Sequence, residues 1–353
     1  MNKVKVGLLV PLQGPMGVWG PASIQSAILA AAEVNHLGGI IGQELDLIIR
    51  DAAWGEDHAA QAASRLVHED GVSAVVAMVG SNARRAIAAQ TAGRCPLIYT
   101  PNYERGQPEP DVIGISSTDE HLFAPLMDWI IDKAGCRRIF MLGSHYRWPM
   151  QTMPAAGAML RSRGASVEGM LARPIDAEDA WDFQALDVIR AARPDLLLLF
   201  LIGDQAIRFH RNFHAAGLAA QIPRLAIATD ETVLTNLGPD ETEGLHAASY
   251  YFSAVRSAAN IGFMERYWTA FGAQAPLPGF YGQSCYEGIQ VAAGMMNGAC
   301  TTAPRALLHA PRRELSFRSA RFGAPAAHLA MRLPVHIARA EGNAFGVIAS
   351  YDG

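Results

Sequence analysis

Hydroxyl side chains that suit the binding of a small polar molecule follow two successive apolar runs of this chain. Ser81 comes after the run 73–79 and Gly80, and Thr100 comes directly after the run 96–99. Continuous apolar runs of this length predict strands buried on both faces of a parallel sheet. The carboxyl ends of such strands meet at one edge, where open α/β sheets bind ligands. The residues predicted to line a site there are Ser81, Tyr99, Thr100 and Pro101.

Ser81 also admits a purely structural interpretation. It stands where the N-cap of a helix over NARRAIAAQTA would stand, and N-cap hydroxyls accept hydrogen bonds from the first amides of a helix. The same helix end presents N–H groups to an external acceptor, such as a ligand oxygen. From this stretch alone, a cap and a ligand contact are equally good predictions for Ser81.

Two further polar loops follow predicted strands in the second half of the chain. Strand 138–142 leads into GSHYRWP, which holds Tyr146 and Trp148, and a later strand leads into Thr229 and Asp230. Because both loops follow strand ends, we expect Tyr146 and Trp148 to contact a ligand with their flat rings, and Thr229 or Asp230 to contact it from the later loop. Packing beneath a loop is the alternative for the rings, and a helix N-cap is the alternative for Asp230.

Sequence motifs of enzymes and metal sites are weak in this chain. Segment 14–20 has the pattern GxxGxxG, which differs from the GxGxxG of dinucleotide-binding folds. Ser81 lacks the second glycine of a GxSxG nucleophile elbow, so a hydrolase that uses it is the least favoured interpretation. His210 and His214 have a spacing that can bind a metal, but no third ligand is arranged nearby, which favours a packing or surface role. The sequence therefore predicts a protein that is not an enzyme, with no catalytic residue, no metal ion and no cofactor.

The composition is typical of a protein with two domains. Its 353 residues exceed one ordinary domain. The net charge is −4 with no evident basic patch, which argues against nucleic acid as a partner. No apolar run approaches the roughly 18 residues of a membrane span. The four cysteines are far apart and are predicted to be free thiols. The first residues predict a strand and no signal peptide, so we expect a cytoplasmic protein, or a periplasmic one if an export signal was removed.

Strands and helices alternate along the chain in two series. This predicts an α/β fold of two doubly wound parallel-sheet lobes with a ligand cleft between them. The first lobe is predicted to contain residues 1–118 and about 253–315. The second lobe is predicted to contain residues 119–252 and about 316–353.

The start of the chain resembles the type I solute-binding proteins, the family of branched-chain amino acid, urea and amide receptors. In that family the first helix ends at an acidic residue and an asparagine, a glycine-rich turn follows, and the next strand ends in aspartate. The residues at these positions here are Glu33, Asn35, Gly38, Gly39, Gly42 and Asp51. The resemblance covers nearly the whole chain.

Within the family, the likeness is closest to the amide-sensing regulator of the aliphatic amidase operon and to urea and short-chain amide transport receptors. It rests on SNARRA at 81–86, YTPNYE at 99–104 and GSHYRWP at 143–149. Two residues depart from the family pattern in the last motif, because His145 replaces the usual acidic residue and Trp148 a common tyrosine. The ligand therefore need not be acetamide or urea.

The resemblance implies two lobes that close on a small neutral or zwitterionic solute, preferably an amide, with an aliphatic amino acid as the alternative. For an amino acid, Ser81 and Thr100 would hold the carboxylate and Asp230 the ammonium group. The partner would be an ABC permease if the protein serves an importer, or an antiterminator-type regulatory protein if it is a sensor. Neither role implies direct binding of nucleic acid or insertion into a membrane.

Overall fold

The computed structural model describes residues 3–104, 109, 111–310, 315, 317–321 and 333–352. The chain divides into two compact units, Met1–Ser117 with Val255–Leu333 and Thr118–Ala254 with Pro334–Gly353. Each unit contains one sheet and its own helices. The predicted α/β fold with two lobes is therefore confirmed.

The first unit is built on a five-stranded parallel sheet in the order β2-β1-β3-β4-β5. Its central strand, β3, is buried at every residue, as its apolar run predicts. The strands are β1 (Val4–Val10), β2 (Leu45–Asp51), β3 (Ala74–Ala77), β4 (Leu97–Tyr99) and β5 (Val112–Gly114). The helices between the strands are α1 (Gly20–His36), α2 (Glu56–Arg65) and α3 (Ser81–Thr91).

The second unit is built on a seven-stranded sheet in the order β12-β11-β10-β9-β8-β6-β7. Strands β6 to β10 are parallel, whereas β11 and β12 continue the sheet beyond β10 as antiparallel strands. The strands are β6 (Arg138–Ser144), β7 (Ser166–Arg173), β8 (Leu196–Phe200), β9 (Arg224–Ala226), β10 (Leu245–Ser249), β11 (Val335–Glu341) and β12 (Ala344–Tyr351). The helices are α4 (Asp119–Asp128), α5 (Arg147–Ser162), α6 (Asp179–Ala192), α7 (Gly203–Ala215) and α8 (Glu231–Leu234).

Three late helices return to the first unit, namely α9 (Ala258–Phe271), α10 (Phe280–Gly298) and α11 (Pro304–Leu307). Helix α10 packs so closely on α1 that a Cβ atom on Gly282 would lie 3.2 Å from the Ala22 carbonyl oxygen. Glu33 of α1 accepts hydrogen bonds from Arg266 of α9 and from Tyr286 of α10, each at 2.6 Å. One partly buried carboxylate thus joins the three helices.

The residues that carry the family resemblance fix the path of the chain from α1 into β2. The Asn35 side chain donates to the Leu45 carbonyl at 3.0 Å and accepts from the Leu45 N–H at 2.7 Å. Gly39 has a φ of +75°, and a Cβ atom there would lie 2.0 Å from a backbone carbonyl oxygen, so a side chain is excluded. At the end of β2, Asp51 accepts from the Leu12 N–H at 2.9 Å and so holds the loop that follows β1.

The chain crosses from the first unit to the second for the last time at a later residue than expected. This crossing was predicted near residue 316, and the structure places it at Pro334. The physical reason is Arg321, which forms a buried ion pair with Glu287 of α10. Its Nη2 atom also donates to the Ile115 carbonyl oxygen at 3.3 Å. Both contacts hold the segment around Arg321 in the first unit.

Candidate functional site

At the carboxyl edge of the first sheet, Ser81 is buried and is the first residue of α3. The N-cap is Gly80, which has an extended backbone. The Ser81 hydroxyl makes no capping bond and has no hydrogen-bond partner among the residues that the structure describes. The cap interpretation of this hydroxyl is therefore wrong. The Ser81 hydroxyl is therefore buried at a helix N-terminus, and within the described residues it makes no hydrogen bond.

The three other residues predicted for this edge, Tyr99, Thr100 and Pro101, are buried like Ser81. The Tyr99 hydroxyl donates to the Val79 carbonyl oxygen at 3.0 Å, which ties the ends of β3 and β4 together. Thr100 is fully buried, and its methyl group faces α10, where a Cβ atom on Gly288 would lie 3.0 Å away. The Thr100 hydroxyl makes no hydrogen bond of normal geometry within the described part of the chain. Pro101 is buried beside it.

A buried ion-pair network joins α3 to the segment after β4. Arg84 donates to both carboxylate oxygens of Glu104, at 3.2 and 3.1 Å, and to Glu109 at 2.9 Å. Burial acts to lower the pKa of Arg84, but hydrogen bonds to the two glutamates hold it above its ordinary value. The network fixes Ser81 and Thr100 relative to each other because one lies in the helix and the other in the segment that it joins. Arg84 and Glu104 belong to the motifs at 81–86 and 99–104, but no role was predicted for either residue from the sequence.

Trp54 is a residue at this edge that the sequence analysis did not single out. It follows β2 and is half-buried. A Cβ atom on Gly80 would lie 3.4 Å from the Trp54 ring and from the Met16 sulfur. Gly80 therefore permits two apolar side chains to approach the start of α3 beside Ser81.

In the second unit, Tyr146 and Trp148 lie together, with ring centroids 6.3 Å apart. Helix α5 begins at Arg147, so Tyr146 is its half-buried N-cap and Trp148 lies in its first turn. The Trp148 indole Nε1 donates to Asp119 of α4 at 2.7 Å, and the ring packs on Phe200 with centroids 5.8 Å apart. The packing role weighed for the aromatic residues thus describes Trp148, which is buried. Tyr146 keeps a partly accessible ring.

The end of β9 leads into a buried acidic segment. Asp230 is the N-cap of α8 and accepts from the Thr232 N–H at 3.1 Å, as the cap interpretation predicted. The buried Thr229 hydroxyl has no hydrogen-bond partner within the ranges described. Polar atoms of this segment are therefore both buried and available to a further partner.

Glu231, the next residue, was not among the predicted site residues. Its Oε1 accepts from the Ser253 hydroxyl at 2.8 Å, and its Oε2 has no hydrogen-bond partner in the described residues. Burial, together with the neighbouring Asp230 carboxylate, raises the pKa of Glu231 to about 7. The run Thr-Asp-Glu after a strand was the only signal for it, since burial of a glutamate is not visible in a sequence.

His210 and His214 do not form a metal site. His210 is fully buried and its Nδ1 faces an Arg224 nitrogen at 2.8 Å, whereas His214 is exposed. Burial and the Arg224 charge lower the pKa of His210 well below its ordinary value. Among the described residues, no group of three or more histidine, cysteine, aspartate or glutamate side chains is arranged to hold a metal ion.

The described helices include none with the length and apolar character needed to cross a membrane.

A model of the periplasmic binding protein family matches residues 3–340 of the chain. The chain therefore belongs to the periplasmic binding protein family, in its type I form.

Two curated relatives match shorter segments. A Leu/Ile/Val-binding protein of Rhizobium johnstonii is 33% identical over 98 residues, which cover 28% of this chain and 26% of that protein. A leucine-, isoleucine-, valine-, threonine- and alanine-binding protein of Pseudomonas aeruginosa is 32% identical over 81 residues, or 23% of this chain and 21% of that protein. The matches thus span about a quarter of the length of these relatives or less.

Solved structures match over the full length. A solute-binding protein of an ABC transporter from Rhodopseudomonas palustris, in complex with 3,4-dihydroxybenzoic acid, has a TM-score of 0.84 at 22% identity and covers 100% of this chain and 98% of its own. A leucine-binding protein from Thermotoga maritima has a TM-score of 0.83 at 17% identity, with 99% of each chain covered. At these identities the likeness shows that the fold is shared.

Proposed function

We propose that this protein is a receptor for a small polar solute, which it binds without chemical change and presents to a partner protein. The observation that carries the proposal is the complementary chemistry at the strand ends of the two units. The first unit offers the Ser81 hydroxyl at the N-terminus of α3, which has no partner in the described part of the chain and suits a carboxylate or carbonyl oxygen. The second unit offers the buried Thr229 hydroxyl and the Glu231 carboxyl, which suit N–H donors.

Each set of strand-end groups would contribute contacts to the bound solute, as the family resemblance implies. Ser81 and Thr100 would bind its oxygen end, and Thr229, Asp230 and Glu231 its nitrogen end. Tyr146 would supply a flat apolar contact. The Trp148 ring packs beside Tyr146 and would hold it in place, because the Trp148 indole is itself fixed by its hydrogen bond to Asp119. Tyr99 and Pro101 would shape the floor of the first half-site.

Two ligand classes fit this chemistry, and a different observation favours each. A zwitterionic amino acid is favoured by the two adjacent buried acidic residues, Asp230 and Glu231, because an ammonium group would offset their charge. The two curated relatives are named for branched-chain and other amino acids, which supports this choice. A primary amide is favoured by the raised pKa of Glu231, since a neutral carboxyl both donates to and accepts from an amide group.

The pH dependence of binding distinguishes the two classes. If an ammonium group binds ionised Glu231, affinity should fall about tenfold from pH 8 to pH 6, because only about a tenth of a carboxyl with a pKa of about 7 is ionised at pH 6. If an amide binds the neutral carboxyl, affinity should instead rise over the same interval. Glu231→Gln should remove either dependence.

A screen of amino acids, short amides and urea by thermal shift, followed by calorimetry at pH 6 and pH 8, performs this test. A ligand present at 100 times its Kd should add about 2.7 kcal/mol to the stability of the folded protein. If no compound of either class raises the melting temperature, the proposed ligand chemistry is wrong. Aromatic acids belong in the screen, because the Rhodopseudomonas palustris structure holds one.

The proposed partner is an ABC permease, to which the protein would deliver the solute in the periplasm. The structural neighbours support this role because they are substrate-binding proteins of ABC transporters. An antiterminator-type regulatory protein in the cytoplasm is the second candidate, supported by the likeness of the motif at 143–149 to the amide-sensing regulator. Neighbouring genes for a permease and an ATPase would support the importer, and an amidase with an antiterminator gene would support the sensor.

A further inference from the structure

The first unit contains a cavity at the amino-terminal edge of its sheet, at the opposite end of the strands from Ser81. Its walls come from the segments that precede β3 and β4 and from the start of α11. Its volume is about 380 Å³, within the range of small-molecule sites in proteins. The lining residues that matter for its chemistry are Val67, Val72, Arg94, Cys95, Ala303 and Arg305. We call it the α11 cavity.

Backbone hydrogen bonds hold each wall of the α11 cavity in place. The wall before β3 is closed by a bond from the Val72 N–H to the Leu66 carbonyl oxygen at 3.2 Å. The wall before β4 is closed by a bond from the Cys95 N–H to the Thr91 carbonyl oxygen at 3.1 Å. Helix α11 begins after Ala303, whose carbonyl oxygen accepts the first bonds of that helix. A ligand would therefore enter a preformed space and would not have to order these segments.

The floor of the cavity is apolar and its rim is cationic. Val72 and Cys95 are buried, and burial raises the pKa of the Cys95 thiol to about 12, so the thiol is neutral. Arg94 and Arg305 are exposed at the rim, and neither forms an ion pair with any residue in the described part of the chain. The lining contains no aspartate or glutamate. The nearby Asp111 carboxylate accepts from the Gly93 N–H at 2.9 Å.

We propose that the α11 cavity binds a small organic anion, with an apolar body against Val67, Val72 and Cys95 and an anionic head held by Arg94 and Arg305. Two guanidinium groups without an ion-pair partner in the described residues, placed beside an apolar floor, select for such amphipathic anions, because a cationic head would be repelled and a neutral head would gain no ion pair. This site is separate from the strand-end groups and does not depend on the function proposed for them.

Three probes with the same apolar tail test the proposal, namely octanoate, octanol and octylamine. Each is titrated into the full-length protein at pH 7.5, and binding is followed by calorimetry and by backbone amide shifts in two-dimensional NMR. Octanoate should bind and shift the amides of Val67, Val72 and Arg94. Binding of octanol should be weaker, and octylamine should not bind there. Equal binding of all three probes, or octanoate shifts confined to Ser81 and its neighbours, would overturn the proposal.

One double variant and one matched control assign the site. Arg94→Ala with Arg305→Ala should raise the octanoate Kd about fivefold to thirtyfold, as expected for the loss of two partly exposed ion pairs. Arg65→Ala with Arg208→Ala removes the same charge from exposed arginines outside the lining and should leave the Kd unchanged. Unchanged octanoate affinity in the first pair, or the same loss in the control pair, contradicts the proposal.

A third variant, Ala303→Phe, fills the cavity without changing charge. It should abolish octanoate binding while the protein keeps its melting temperature within a few degrees. Retained octanoate binding in a folded Ala303→Phe protein would contradict the assignment. Ser81→Ala should leave octanoate binding unchanged, which separates this test from that of the solute-binding function.

Discussion

Replacement of Glu231 by glutamine should remove a pH dependence of stability that one buried carboxyl creates. Glu231 is 2% exposed and accepts a hydrogen bond from the Ser253 hydroxyl at 2.8 Å. Burial, aided by the Asp230 charge, raises its pKa from an ordinary value of 4.5 to about 7. Glutamine has nearly the same shape and keeps an acceptor for Ser253, but it stays neutral at every pH of interest.

The direction of this pH dependence follows from the pH at which Glu231 ionises in the unfolded and in the folded protein. As pH rises from 4.5, the unfolded chain loses the Glu231 proton first, whereas the folded protein keeps it until about pH 7. The contribution of this group is fully present below pH 4.5 and is lost as pH rises to about 7. At 1.36 kcal/mol per pH unit, the loss amounts to about 3 kcal/mol. Relative to wild type, Glu231→Gln should therefore gain about 3 kcal/mol between pH 4.5 and pH 7.5.

Urea titrations of both proteins at pH 4.5, 6.0 and 7.5 measure this difference. Three histidines have lowered pKa values and make stability rise with pH over part of the same window, namely the buried His210 and His336 and the partly buried His246. Because they are common to both proteins, the difference between the two free energies of unfolding isolates Glu231. The matched control is Glu178→Gln, an exposed glutamate of the same unit. A difference between Glu231→Gln and wild type that is constant with pH would refute the reasoning.

Three further substitutions test the strand-end groups and the supports around them. Ser81→Ala should stabilise the ligand-free protein by about 1–3 kcal/mol, since it removes a buried hydroxyl that has no partner in the described residues, and it should weaken solute binding by about 1 kcal/mol in calorimetry; unchanged affinity would place the ligand elsewhere. Trp148→Phe should lower stability by about 1–3 kcal/mol in urea titrations, because Asp119 loses a buried donor, and an unchanged midpoint would contradict this. Arg321→Met should cost about 3 kcal/mol by leaving Glu287 buried and charged, whereas Arg321→Met with Glu287→Met should cost much less; equal losses in the single and double variants would show that the ion pair is not the cause.

Much of the fold was predictable because a continuous apolar run in the sequence indicates a strand that is buried on both faces. The runs that became β3 and β8 are apolar at every residue, and the structure buries all of them. The turn after α1 was predictable because Gly39 and Asn35 satisfy specific backbone requirements. The late crossing at Pro334 was not, because it depends on a contact between Arg321 and a glutamate 34 residues earlier, which no local pattern reveals.

The positions of the candidate residues after strands were predictable, whereas the contacts of their side chains were less so. Parallel strands deliver their following residues to one edge, which located Ser81 and Thr229 correctly at strand ends. The partner of each side chain depends on neighbours distant in sequence. The indole of Trp148 is engaged by Asp119, 29 residues earlier, and the Glu231 carboxyl by Ser253, 22 residues later.

Ser81, Thr229 and Glu231 have in common a buried polar atom without a hydrogen-bond partner in the described residues, and all three lie at strand ends. Such atoms lower the stability of the ligand-free protein by about 1–3 kcal/mol each, so their environment must be held in place by other contacts. In the first unit the Arg84 network supplies such contacts to the start of α3, and in the second unit the bonds of Asp230 to the Thr232 N–H and of Glu231 to the Ser253 hydroxyl hold the acidic segment. This arrangement is what a preorganised binding surface requires, because rigid supports keep the unpaired atoms oriented until a ligand satisfies them. The same physics makes ligand-induced stabilisation a direct test of the proposed binding role, since a solute that pairs with these atoms would recover the free energy lost in the empty protein.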